Sequence, residues 1–220
     1  MPAKSGFWNS TIGRKIVMAV TGLILFGFVL AHLVGNLQLY LGAAAINAYG
    51  VFLRQVLHGA GLWIARAGLL VAVVLHIWSA ASLTLTSRAA RPVSYRSFQP
   101  RESTYASRTM RWGGAIVLLF VIYHLLHFTL GTVHPSFVPG DVYHNMVAGF
   151  QVPWVSAFYI IAMLALGLHL RHGLWSMFQT LGVAHPRYER YAKAFAAVFA
   201  AVIVLGNISF PISVLAGWVR

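Results

Sequence analysis

Five stretches of this chain stay apolar for close to, or beyond, the roughly 20 residues that an α-helix needs to cross a hydrocarbon core about 30 Å thick. They run from Ile16 to Leu37, Leu62 to Leu85, Trp112 to Val133, Trp154 to Phe178 and Ala194 to Val219. Of the 220 residues, 59% are hydrophobic and only 9% charged, too little polar surface to coat a water-soluble core. The sequence therefore predicts an all-α integral membrane bundle of five transmembrane helices forming a single domain over residues 1–220. Arg14 and Lys15 before the first run resemble the flank of a signal peptide. That run is too long for a signal's apolar region and no small-residue cleavage site follows, so it reads as a mature helix.

The formal charge of +13 sits in the connections rather than on one patch. Lys4, Arg14 and Lys15 precede the first span, and Arg88, Arg91, Arg96, Arg101, Arg108 and Arg111 lie between the second and third. Arg187, Arg190 and Lys193 fill the turn before the fifth, whereas no Lys or Arg separates the third from the fourth. The positive-inside rule gives a cytoplasmic N-terminus and an external C-terminus, as an odd number of spans requires. Topology and attraction to anionic lipid account for the charge without a nucleic-acid partner. Pro92 and Pro100 argue against a continuous helix in the long connection from Thr86 to Arg111. Ala43 to Gln55 suits a short interfacial helix, and Asn207 with Pro211 predicts a bend in the fifth span.

Four of the spans hold histidine well inside the apolar run: His32 in the first, His76 in the second, His124 with His127 in the third, and His169 with His172 in the fourth. Ionisable side chains at such depth are costly, which makes each a functional hypothesis. For any one alone, an interhelical hydrogen bond, for instance to Ser79 or Thr21, is the simpler reading. Four spans together change that. The three acids, Glu102, Asp141 and Glu189, all lie in connections, so carboxylate relays for a proton-coupled transporter are missing. Neutral imidazole is a strong iron ligand, and two pairs of histidines binding two b-type haems account for the number. The absence of cysteine excludes disulfides, thiolate-ligated clusters and covalent haem attachment.

Depth bears on the pairing. At about 1.5 Å per residue, His32 lies about 26 Å from Lys15, His124 about 20 Å from Arg111, and His76 about 18 Å from Arg88. His169 lies about 9 Å from Trp175, a plausible interfacial anchor. His32 is then outermost and His169 innermost, which favours His32 with His124 outside and His76 with His169 inside, although depth does not separate the middle two. His127 and His172 follow one turn after His124 and His169 on nearly the same faces, so composition leaves open which member of each couple ligates. Gly22, Gly27, Gly68 and Gly167 suit either the approach of a flat macrocycle or ordinary close helix packing.

With these residues in view, the chain resembles the cytochrome b subunit of succinate:quinone oxidoreductases, the five-helix, two-haem type with a single anchor polypeptide. The segments that carry the resemblance are Ala31-His32-Leu33-Val34-Gly35-Asn36, Val74-Leu75-His76, Val121-Ile122-Tyr123-His124, and His169-Leu170-Arg171-His172-Gly173-Leu174-Trp175-Ser176. The last is the most specific, matching the family's His, three residues, Gly-Leu-Trp-Ser. The resemblance implies that His124 and His169, rather than His127 and His172, are ligands, and that His32 pairs with His124 and His76 with His169. His127 and His172 then revert to polar packing, hydrogen bonding near a propionate, or proton handling.

The resemblance also implies the function: electrons pass between an iron-sulfur subunit and membrane quinone through two haem b groups, and menaquinone is the favoured quinone. A flavoprotein subunit carries the dicarboxylate chemistry, so no catalytic residue is assigned here. Both partner subunits sit on the cytoplasmic side of a bacterial inner membrane. Arg14, Arg88 and Arg171 are candidates to pair with the inner haem's propionates, and topology explains them equally well. Some relatives carry a glutamate in the fourth helix, where this chain reads Ala165-Leu166-Gly167-Leu168, and an acid after the first helix, where it has Arg54. Tyr40, Gln55 and His58 could serve quinone on that outer side, and are read first as interfacial side chains. The alternatives are a cytochrome b partner of another membrane dehydrogenase or hydrogenase, and a haem-free transporter or anchor.

Overall fold

The protein's structure, a computed structural model, describes residues 6–90, 105–183 and 185–220, without the side chains of 105–108. Lys4, Arg91, Pro92, Arg96, Pro100, Arg101 and Glu102 lie outside the described residues, as does the side chain of Arg108. Among the described residues the chain is helical and has no strand: α1 (Thr11–Asn36), α2 (Ala43–Gln55), α3 (Ala60–Ala89), α4 (Tyr105–His124), α5 (Val142–Phe150), α6 (Pro153–Thr180) and α7 (Pro186–Leu215). Five of these, α1, α3, α4, α6 and α7, are long and apolar enough to cross a membrane.

Helix starts lie earlier than the apolar runs suggest, because caps and prolines begin a helix before the sequence turns hydrophobic. The Ser10 hydroxyl accepts from Gly13 N at 2.9 Å and starts α1 ahead of Ile16. Pro153 and Pro186 open α6 and α7, where a missing N–H costs nothing. Arg187, Arg190 and Lys193, expected in a turn, therefore stand in the first two turns of α7, with Lys193 paired to Glu189 one turn earlier. The connection expected from Thr86 to Arg111 shrinks in the same way, since α3 runs to Ala89 and α4 begins at Tyr105. At the other end of its span, α7 continues unbroken past Pro211, and the Asn207 side-chain amide donates to the Ile203 carbonyl at 2.8 Å.

α1 packs on α3, α4 on α6, and α6 on α7, while α1 also touches α6 and α7. Bare backbone sets two of these seams. A Cβ on Gly167 would lie 2.4 Å from Val204 Cγ2, and one on Gly206 would lie 2.8 Å from both Leu33 methyls. Gly167 is thus a packing glycine between α6 and α7. Outward-facing Leu70, Leu119, Ile161 and Val198 leave an apolar surface suited to lipid, the solvent in which helix bundles expose rather than hide such side chains. The two hairpins, α1 with α3 and α4 with α6, stand side by side.

At the end away from Arg14, two short helices cover the bundle. α2 forms over the predicted interval, whereas α5, in the outer connection, went unpredicted. Asp141 caps α5 by accepting from His144 N, and also accepts from the Asn47 side-chain amide, both at 3.0 Å. Those two bonds, the backbone one first, hold its carboxyl below the usual aspartate range. Asn47 Oδ1 accepts in turn from Tyr143 N at 3.0 Å, which fastens α2 to α5.

Candidate functional site

The histidine-bearing faces of the two hairpins meet in pairs. The rings of His76 on α3 and His169 on α6 have centroids 6.3 Å apart with planes at 61°. Those of His32 on α1 and His124 on α4 are 5.8 Å apart at 89°. Neither pair is joined by a hydrogen bond. Two imidazoles on opposite sides of one metal ion, each with a bond of about 2 Å and a ring centre about 1.1 Å beyond its nitrogen, have centroids about 6 Å apart. Among the described residues no three His, Cys, Asp or Glu side chains converge on a metal position, so the chemistry available is that of histidine pairs.

Each member is held differently. His76 Nδ1 stands 3.2 Å from the Met18 carbonyl and 3.2 Å from Thr21 Oγ1. A carbonyl only accepts, so the ring proton sits on Nδ1 and Nε2 keeps a free lone pair, the arrangement in which a second partner orients a metal-binding histidine. Thr21, a hydrogen-bond alternative raised from sequence, thus contacts this ring without using the nitrogen a metal needs. Gly22 faces the ring without being required by it: a Cβ there would lie 3.4 Å from His76 Cε1, an ordinary van der Waals contact. Gly27 and Gly68 have nothing within 4 Å of that position. His169 Nδ1 is buried without a hydrogen-bond partner among the described residues, and its ring borders a cleft of about 260 Å³ lined by Met110, Trp112, Gly113, Ile116, Ala165 and Leu168.

His32 is exposed, stacks on Phe28 at 5.3 Å, and makes no hydrogen bond to the described residues. His124 ends α4, where the helix widens into a π turn over Leu125–Thr129. Such turns cluster at functional positions. The pairs are stacked along the bundle: Thr21 beside His76 and His32 beside His124 are eleven residues apart on α1, about 16 Å.

His127 does not face His32. Its ring is wholly buried and stacks on His134, with centroids 4.8 Å apart at 28°, and on Tyr123 at 5.4 Å. Its Nδ1 is 3.0 Å from Tyr159 Oη, which is also 3.3 Å from His124 Nδ1. Sequence reasoning missed Tyr159 and His134; the only signal was a phenol inside the fourth span. His172 is part-buried and forms no hydrogen bond or ring pair among the described residues. Arg14 donates from Nε to the Trp8 carbonyl at 3.0 Å and from a terminal nitrogen to Thr86 Oγ1 at 3.2 Å, joining the start of α1 to the end of α3. Arg88 and Arg171 are exposed and make no hydrogen bond or ion pair with the described residues. On the other side, Tyr40 donates to Ser209 Oγ at 2.6 Å, Gln55 ends α2, and His58 is exposed in a left-handed turn.

A family model described as the succinate dehydrogenase/fumarate reductase transmembrane subunit matches residues 84–207, more than half of the chain. The matched stretch includes His124 and His169 and ends inside α7. No curated protein and no solved structure matches.

Proposed function

Because the chain belongs to the succinate dehydrogenase/fumarate reductase transmembrane subunit family, we propose that this integral membrane protein is the di-haem cytochrome b anchor of such a complex, exchanging electrons between an iron-sulfur subunit and quinone. The observation that carries the reading is the two facing histidine pairs, whose ring separations of 6.3 and 5.8 Å fit ligation from opposite sides of one iron. In this assignment His76 and His169 hold the inner haem, and His32 and His124 the outer. Haem b, when bound, supplies a one-electron carrier.

What the chain contributes follows from its residues. Each histidine pair would hold its haem with both protein ligands supplied by this chain, an arrangement that suits electron transfer. The Met18 carbonyl and Thr21 keep His76 in the tautomer that presents Nε2. Arg14, hydrogen-bonded to the Trp8 carbonyl and to Thr86, is with Arg88 and Arg171 a candidate cation for the inner propionates. The arginine-rich sequence between α3 and α4 suits docking of an iron-sulfur subunit, with the flavoprotein subunit beyond it. Quinone is the membrane partner, menaquinone the favoured type, and the bacterial inner membrane the expected location.

The test uses the complex purified in mild detergent through a tag on this chain. Succinate should reduce a b-type chromophore in it, seen as a reduced-minus-oxidised difference spectrum, and quinone should reoxidise that chromophore. A b-type spectrum reduced only by another donor, such as hydrogen, would transfer the chain to a different dehydrogenase or hydrogenase.

A further inference from the structure

The outer histidine pair is attached to a second histidine layer that metal ligation does not require. Tyr159 Oη lies 3.3 Å from His124 Nδ1 and 3.0 Å from His127 Nδ1, and is itself buried. We propose that Tyr159, backed by His127, is the positioning residue for the outer haem: it fixes the tautomer and ring plane of His124 and thereby lowers the potential of the iron that His124 holds. The inference rests on the reading of His32 and His124 as a ligand pair.

The direction of the bonds follows by elimination. A His124 that ligates through Nε2 carries its proton on Nδ1 and donates it to Tyr159 Oη. The phenol has one proton, which it then donates to His127 Nδ1. His127 must in consequence carry its own proton on Nε2, and that nitrogen is buried with no hydrogen-bond partner among the described residues. The neighbouring ring offers no acceptor there, because His134 Nε2 faces the Asn145 carbonyl at 2.8 Å and can bond it only as a donor. An orphaned buried donor is an expensive way to fill space, and a phenylalanine would pack here without it. What a phenylalanine lacks is the Nδ1 acceptor that polarises the Tyr159 hydroxyl and makes its oxygen a better acceptor for His124.

The layer is also held in place. His127 is clamped between Tyr123 and His134, and it packs against Phe128 with centroids 4.2 Å apart. Gly149 of α5 closes the remaining side: a Cβ there would lie 2.8 Å from His127 Cε1 and 3.1 Å from its Nε2. A bond accepted from a ligating imidazole raises its basicity and favours the ferric state. The same bond holds the His124 plane at 89° to that of His32, and the anisotropy of a low-spin ferric haem follows that angle.

The experiment is a potentiometric titration of the purified complex, followed by visible and paramagnetic resonance spectra, for wild type, Tyr159→Phe, His127→Leu and Gly149→Ala. Tyr159→Phe should bind two haems and raise the reduced-to-oxidised ratio of the outer one by about three- to tenfold at fixed potential; the upper figure is about 59 mV for a one-electron couple. Its largest g value should fall, and the inner haem should not move. His127→Leu and Gly149→Ala should shift the outer haem the same way by less, and they decide the matter if Tyr159→Phe fails to assemble. An unchanged outer potential with both haems bound, or equal shifts of both haems, overturns the proposal. Wild-type protein without haem overturns the functional reading beneath it.

Discussion

His76 and His169 differ in what holds them, and single substitutions exploit the difference. His76 is oriented by the Met18 carbonyl and Thr21, whereas His169 Nδ1 has no hydrogen-bond partner among the described residues and depends on packing. Alanine at either should remove the inner haem and leave the outer one at least partly assembled, read from haem content and from the remaining midpoint. His127→Ala should retain both haems with the outer potential raised; loss of a haem would make His127 the ligand in place of His124. The ligand candidates were legible because histidine inside an apolar run is costly and therefore conspicuous. Tyr159 was not, since a lone phenol inside the fourth span marks no partner, and His124 and His127 reach it from α4 and the π turn only through packing. Glycines were legible only as a class: Gly167 serves the α6–α7 seam, while Gly22 faces the His76 ring.

At the scale of elements, the spans were readable because twenty apolar residues have few other fates, and their ends were not, because Ser10, Pro153 and Pro186 set them. α5 has nine residues, too few for a helical pattern to stand out, and sits between the turn at Pro139 and Gly140 and the next span. Its place is fixed by Asp141, whose removal tests that role. Asp141→Ala loses the cap and the bond from Asn47, and should cost about 1 kcal/mol, seen as a lower melting temperature in detergent with the haem spectrum unchanged. The carboxyl is depressed in the folded protein, so its contribution is complete above the unfolded value of about 3.9 and is lost as pH falls through the lower folded one. Acid should therefore loosen this cap only below about pH 4, and the alanine variant should lack that transition. The π turn over Leu125–Thr129 had no sequence signature; the buried His127 lies in it and packs against Gly149 of α5.

In the whole molecule the two ring pairs stand about 16 Å apart along α1, a separation that fits within a hydrocarbon core about 30 Å thick. The five-helix class was legible from composition and run length alone. Depth ranked His32 and His169 as extremes and left the middle two open, the resemblance implied both pairs, and in the structure the rings of His32 and His124 and of His76 and His169 meet across the hairpins. On the proposed reading this one chain carries two bis-histidine haems, one per pair. Haem quantified per polypeptide in detergent-purified protein tests it most directly, measured beside the His76→Ala and His32→Ala variants. The account predicts two haems in wild type and one in each variant, with different midpoints remaining. A wild-type ratio of zero or one, or the same midpoint left by both variants, would contradict it.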